Sequence, residues 1–143
     1  MGAMDFDELM VEARAALDAI AKGDPDGYKA LYSRADDITL GNPFGGFGRG
    51  IEAVYEQLER AASHYRDGET TAFETVTHSV GQDVTYTVEI ERFRAKVGGR
   101  DETSDLALRV TCVYRREPEG WKLVHRHADP RVERQAAESV IQR

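Results

Sequence analysis

The hydrophobic period changes once along this chain, near residue 70. Before that point apolar residues recur every three to four positions, as on one face of an α-helix, and after it they alternate with polar residues, as in half-buried strands. A single change of this kind predicts helices first and a sheet second. We therefore expect an α+β protein in which the helices cover one face of the sheet.

Three helices are predicted in the first part of the chain, each from an apolar stripe at helical spacing. Asp5 before the first helix, and Asp24 followed by Pro25 at the first position of the second, are residue types that favour helix starts. Glycines precede the third helix and follow the first. The predicted helices span residues 6–20, 25–32 and 51–65.

Four longer strands are predicted after the helices, separated by short turns, so that consecutive strands pair antiparallel. A shorter strand, 36–40, precedes a turn-rich stretch at 41–48. The charged segment 131–143 is predicted to be a short helix or a tail. The longer strands are predicted at residues 71–80, 84–96, 105–116 and 121–128.

Length and composition narrow the possible classes of protein. The 143 residues suit one domain, predicted at 4–130, and the single cysteine, Cys112, argues against a disulfide framework. A net charge of −7 argues against a nucleic-acid partner. Apolar runs of membrane-spanning length and signal-peptide features are lacking. We expect a cytoplasmic protein with no membrane partner and no cofactor.

His125 and His127 are the strongest candidates for chemistry. Side chains alternate along a strand, so both are predicted to share a buried face with Trp121 and Leu123. Two imidazoles in an apolar cavity would suit proton transfer or the binding of a polar ligand. In the alternative, structural interpretation, one histidine is solvated and the other bonds a backbone carbonyl. No His-x-x-His or carboxylate spacing supports metal ligation by these histidines, so no metal site is predicted.

Further pocket residues are expected from aromatic and polar positions on the helices, the glycine-rich turn and the strands. Arg109 could lie on a solvated or interface face of its strand, or it could be a buried charge awaiting an anionic ligand. The predicted pocket residues are Tyr28, Tyr32, Asn42, Phe44, Phe47, Tyr55, Tyr86 and Arg109.

The order of these segments resembles the nuclear transport factor 2-like superfamily, which includes the ketosteroid isomerases and the SnoaL-like polyketide cyclases. The resemblance extends from Phe6 to Asp129 and is carried by residues 23–32, 36–45, 50–55 and 120–127. The ending, a tryptophan before a His-x-His strand, is similar to the calcium/calmodulin-dependent kinase II association-domain branch. The resemblance implies a cone-shaped half-barrel, three helices on a strongly curved, mainly antiparallel sheet, with an internal pocket and dimerisation through the sheet.

The isomerase catalytic set is not matched at the positions that the resemblance implies. Asn42 stands where those enzymes have a catalytic aspartate before a proline, and an amide cannot act as the base. Ala16 and Thr111 stand near the positions of their oxyanion-binding tyrosine and protonated aspartate. Steroid isomerisation by that mechanism is therefore not expected.

Two functions remain open at the level of sequence. The first is a pocket that binds a small, largely apolar molecule, with acid–base catalysis of the isomerase, dehydratase or cyclase type through His125 or His127. The second is a non-catalytic oligomerisation or ligand-sensing module. In either case we expect a homodimer, since glutamates and arginines on one sheet face would be self-complementary. The residues predicted on that outer face are Thr85, Thr87, Glu89, Glu91, Arg109 and Arg115.

Overall fold

The computed structural model describes residues 5–142, which form three helices and six strands. The predicted domain start at Met4 and the final residue of the predicted tail lie outside this range. The helices are α1 (Phe6–Ala21), α2 (Asp26–Leu31) and α3 (Gly50–Ser63). The strands are β1 (Thr39–Gly41), β2 (Gly48–Arg49), β3 (Tyr65–Val80), β4 (Val84–Val97), β5 (Thr103–Glu117) and β6 (Gly120–Asp129). A short 3-10 helix, Ala137–Val140, follows them.

One curved, open sheet contains all six strands in the order β2-β1-β6-β5-β4-β3. Strands β3 to β6 form the predicted antiparallel meander. Strand β1 extends the sheet by pairing parallel to β6, and β2 pairs antiparallel to β1. Register shifts interrupt the β3–β4 ladder at three points and the β5–β6 ladder at one. Such bulges bend strands, which is consistent with the strong curvature.

The helices cover one face of the sheet, called here the inner face, and the core lies between the two layers. Leu9 and Leu17 of α1 are buried against it, as is Leu58 of α3. Phe93 of β4 and Leu123 of β6 come from the sheet side of the same cluster. The predicted α+β cone is confirmed. Between residues 5 and 142 no helix is long and apolar enough to span a bilayer.

The helical starts follow the predicted signals, whereas two boundaries differ. The short strand predicted at 36–40 is β1, Thr39–Gly41, and the third helix ends earlier than predicted. Asp5 caps α1 by accepting a 2.8 Å hydrogen bond from the Glu8 amide, and Asp24 accepts one from the Asp26 amide. Tyr65 belongs to β3 and not to the third helix, which ends at Ser63. Its ring packs edge-on against Phe93 with centroids 5.2 Å apart. Tyr65 is buried on the inner face. Strand β3 therefore includes it and begins six residues earlier than the alternation predicts.

Candidate functional site

A narrow cavity lies between the helices and the inner face. Its volume is about 50 Å³, counted as space open to the centre of a water molecule, which is room for a few waters or a small organic group. Most of its wall is apolar. The lining residues are Leu17, Ile20, Ala21, Leu40, Asn42, Pro43, Leu58, Ala61, Tyr65, Thr70, Glu91, Phe93, Leu108 and Arg126.

An ion pair forms the charged part of the cavity wall. Arg126 of β6 donates to both carboxylate oxygens of Glu91 on β4, at 2.7 and 2.8 Å. Both residues are almost fully buried, with 7% and 5% of their surfaces exposed. Arg126 also donates to the Tyr28 hydroxyl at 3.1 Å, and its guanidinium lies 5.1 Å from the centre of the Tyr28 ring. A bidentate pair of this kind is a strong and directional contact.

The charges in this cluster are set by burial and by the pair itself. Burial alone would lower the pKa of Arg126, but the neighbouring Glu91 carboxylate raises that pKa well above its ordinary value. Burial raises the pKa of Tyr28 and of Cys112, whose thiol sulfur lies 3.8 Å from the Tyr28 hydroxyl. The phenol and the thiol therefore stay neutral at pH 7, and the cluster contains one positive and one negative charge.

The turn that follows β1 contributes Asn42 and Pro43 to the cavity wall. The Asn42 amide donates to Gln57 Oε1 at 2.6 Å and accepts from the Phe44 backbone amide at 3.0 Å. The Phe44 ring lies 4.5 Å from the His64 ring and 5.8 Å from the Tyr65 ring, centre to centre. These contacts fix the Asn42 side chain where it lines the cavity.

The expectation that His125 and His127 share the buried face with Leu123 is wrong. Val113 of β5 pairs with His125 and Tyr114 pairs with Leu123, so Val124 is an extra residue in β6. This bulge moves the alternation by one position. Arg126 consequently occupies the inner position, and both histidines lie on the opposite, outer face of the sheet.

The two histidines have polar partners on the outer face. The His125 Nδ1 atom lies 2.8 Å from Thr39 Oγ1. Burial lowers the pKa of His125, and the nearby His127 lowers that pKa further. The side chain of His127 is 46% exposed and lies 3.4 Å from Asp129. This arrangement corresponds to the structural interpretation of the pair more closely than to a catalytic one.

The other predicted pocket residues divide between the cavity and other places. Asn42 lines the cavity and Tyr28 reaches it through Arg126, whereas Phe44 is not part of the lining and packs against Tyr65, which is. Tyr32 is buried with its hydroxyl donating to the Thr39 carbonyl, and the Tyr55 hydroxyl donates to the Lys29 carbonyl between α2 and α3. Residues Phe47, Tyr86 and Arg109 lie on the outer face.

Arg109 lies on the solvated face of its strand, which is one of the two positions predicted for it. Its guanidinium is paired with Asp129 at 2.9 Å and its side chain is 59% exposed. The Phe47 ring lies 6.2 Å from the His127 ring and is itself exposed. Neither residue can contribute to a cavity on the other side of the sheet.

The residues of β4 that were expected on the outer face lie on the inner face. Glu89 and Glu91 are each 5% exposed, and the two threonines before them on the strand are buried as well. Arg14 of α1 holds Glu89 with two hydrogen bonds at 2.7 and 2.5 Å, as Arg126 holds Glu91. Sequence reasoning therefore missed Glu91 and Arg126. One signal was available in the sequence. Val88 and Ile90 alternate with the glutamates, so the two sets of side chains lie on opposite faces and either set could be the inner one.

Comparison with known proteins gives a family and a set of related folds. The family model of the SnoaL-like domain matches residues 13–131. No curated protein matches the sequence significantly. A nuclear transport factor 2-like superfamily protein from Salmonella enterica is 19% identical with a TM-score of 0.71, over 88% of this chain and 89% of that one.

Two further solved structures have the same fold. A ketosteroid isomerase-like protein from Erwinia carotovora is 16% identical with a TM-score of 0.70, over 87% of this chain and 95% of that one. A proposed calcium/calmodulin-dependent protein kinase type II association domain from Thiobacillus denitrificans is 22% identical with a TM-score of 0.68, over 91% and 98%. At these identities the likeness concerns the fold alone.

Proposed function

Because this chain belongs to the SnoaL-like domain family, with the nuclear transport factor 2-like fold, we propose that its function lies in the cavity between the helices and the inner face. There the protein binds a small, largely apolar molecule. A fold of this kind is shared by proteins with many activities, so the proposal is argued from the cavity and not from the fold.

The Glu91–Arg126 pair carries this proposal. Burying two charges is costly, and well-packed apolar residues in their place often give equal or greater stability. Here the pair faces an otherwise apolar cavity whose other polar wall groups include the amide of Asn42 and the hydroxyl of Thr70. Apolar walls with a few placed polar groups are typical of small-molecule sites.

Acid–base catalysis of the isomerase, dehydratase or cyclase type would have to use the groups that line this cavity. His125 and His127 lie on the other side of the sheet, so they do not reach a ligand held there. The Glu91 carboxylate is the group that could accept a proton, and Arg126 could stabilise a negative charge that develops on the ligand. We assign these two residues the roles first expected of the histidines.

The binding proposal is tested by narrowing the cavity. Ala61 lies on its wall and Ala15 is exposed on α1, so Ala61→Leu and Ala15→Leu make the same change inside and outside. A library of small neutral apolar fragments is titrated into each protein and followed by amide NMR shifts. We expect shifts at the lining residues in the wild type and in Ala15→Leu, and at least about a tenfold weaker affinity in Ala61→Leu. Fragments that bind all three proteins equally would refute the proposal.

A second candidate function, homodimerisation through the sheet, is favoured by the composition of the outer face. Four apolar side chains stand there on β4 and β5, called here the outer apolar patch. Tyr86 is 43% exposed, and Arg109 and His125 flank the patch. The other three side chains of the patch are half-buried. An apolar patch with a polar rim is typical of a protein interface. The patch consists of Tyr86, Val88, Ile90 and Val113.

A further inference from the structure

We infer that the molecule bound in this cavity is uncharged and has one polar end directed at Arg126. The inference rests on the proposed binding function and names the class of ligand that the site accepts. It excludes carboxylates, phosphates and ammonium compounds as the preferred ligands of the wild-type protein.

The first step is the charge of the cavity wall. Among the lining residues within 5–142, Glu91 and Arg126 are the charged ones, and they neutralise each other through two direct hydrogen bonds. Asn42, Thr70 and Tyr65 complete the polar groups of the wall. Thr70 is already held, since its amide and hydroxyl both donate to Asp18. A ligand in the cavity therefore meets neutral polar groups and an ion pair whose two charges cancel.

The second step is what a charged ligand would meet. A carboxylate that approached Arg126 would lie beside the Glu91 carboxylate in a site shielded from water, and like charges that close repel strongly. An ammonium group at Glu91 would meet the Arg126 guanidinium in the same way. Either ion would also lose its hydration on entering the apolar space, with no unmatched charge to replace it.

The third step is what an uncharged ligand would gain. A guanidinium has five N–H donors. One terminal nitrogen of Arg126 donates to Glu91 and Tyr28, with the Cys112 sulfur 4.0 Å away, and the other donates once to Glu91. Up to two N–H groups are left for an acceptor such as a carbonyl or hydroxyl oxygen. The rest of such a ligand would contact apolar side chains, among them Leu40, Phe93 and Leu108. A small ketone, amide or alcohol satisfies both requirements.

The experiment compares two probes of one shape. Isobutyramide and isobutyrate differ in charge at pH 7 but hardly in size, and each is titrated into the protein while the amide NMR shifts of the lining residues are followed. In the wild type we expect the dissociation constant of isobutyramide to be at least about tenfold lower than that of isobutyrate. Glu91→Gln leaves Arg126 as an unmatched cation. The preference for isobutyramide, measured as the ratio of the two dissociation constants, should fall at least about tenfold in this variant and shift toward isobutyrate. Glu56→Gln, an exposed glutamate on α3, should behave as the wild type.

A folded Glu91→Gln that keeps the wild-type preference for isobutyramide contradicts the inferred role of the ion pair. If isobutyrate binds the wild type as tightly as isobutyramide or more so, the ligand class is wrong while the proposed binding function stands. If neither probe nor any neutral fragment shifts the lining residues, the binding function fails and the inference fails with it. If Glu91→Gln does not fold, as judged by circular dichroism, the wild-type ratio alone decides.

Discussion

Glu89 and Glu91 occupy neighbouring inner positions on β4, and each is matched by an arginine from another element. The partner of Glu89 is Arg14, 75 residues away, and that of Glu91 is Arg126, 35 residues away. His78 adds a third contact to Glu89 at 3.0 Å. The inner face of the sheet is therefore stabilised by two adjacent charge clusters, one of which faces the cavity.

The sequence did not predict these pairs, for a physical reason. Glutamate is almost never fully buried unless it is paired, and a partner tens of residues away leaves no local pattern. With no visible partner, the alternating Glu89 and Glu91 were assigned to the outer face. Asp5, whose partner amide is three residues away, was assigned correctly as a helix cap.

The Glu89 cluster predicts a pH dependence of stability. Burial would raise the pKa of Glu89, but hydrogen bonds from Arg14 and His78 outweigh it and hold that pKa below its ordinary value. A carboxylate with a lowered folded-state pKa stabilises the protein above its unfolded-state pKa, roughly 4.3, and loses that contribution as the pH falls through the folded-state value. Glu89→Gln should therefore lower the free energy of unfolding by about 2 kcal/mol at pH 7 and by clearly less at pH 3.

Urea unfolding of the wild type and Glu89→Gln at pH 7, 5 and 3 checks this expectation. The exposed Glu56→Gln serves as the matched control, with little change expected at any of the three pH values. A destabilisation by Glu89→Gln that is equally large at pH 3 would show that the lost contribution is not that of the ionised carboxylate.

At the scale of the elements, the strand boundaries of β4, β5 and β6 were predicted to within one or two residues, but the bulge in β6 was not. Alternation assumes a period of two along the whole strand, and the extra residue Val124 breaks it. Nothing in the run from Trp121 to His127 marks that position. This one residue decided which side chains of β6 reach the cavity.

Strand β3 bends close to the end of α1 at a glycine, and this contact is predicted to be sensitive to substitution. A Cβ atom on Gly68 would lie 2.5 Å from the Arg94 carbonyl oxygen and 2.6 Å from that of Ala21. Backbone atoms on both sides leave little room to relax, so Gly68→Ala should lower the free energy of unfolding by about 1–3 kcal/mol. Gly99→Ala, where nothing lies within 4 Å of the added atom, is the control.

Both glycine variants are compared by urea unfolding at pH 7. We expect a lower urea midpoint for Gly68→Ala alone, with an unchanged denaturant slope. Equal midpoints for the two variants would mean that β3 and α1 are not packed as closely as described.

At the scale of the whole molecule, the order of the elements and the family resemblance were sufficient to predict the fold. The helices cover one sheet face and the meander runs as expected. The parallel pairing of β1 with β6 was not predicted, because it joins segments more than 80 residues apart and no short turn connects them. The size of the cavity and its ion pair also depend on such distant contacts.

The outer apolar patch predicts the oligomeric state. If two copies associate through it, Val88→Glu places a charge at its centre and should give a monomer. Val80→Glu makes the same change at an exposed valine at the end of β3 and should leave the dimer intact. Light scattering at micromolar concentration distinguishes the two masses. A wild-type protein with the mass of one chain would contradict dimerisation, and dissociation by both variants would contradict the assignment of the patch.

The NMR signal of the Arg126 Nε–H group reports directly whether a ligand binds inside the cavity. We expect isobutyramide to move this side-chain signal in the wild type in proportion to binding, and Ala61→Leu to weaken the response greatly. A ligand that shifts signals of the outer face, such as those of His127 and Thr111, and leaves the Arg126 signal unmoved would contradict this expectation.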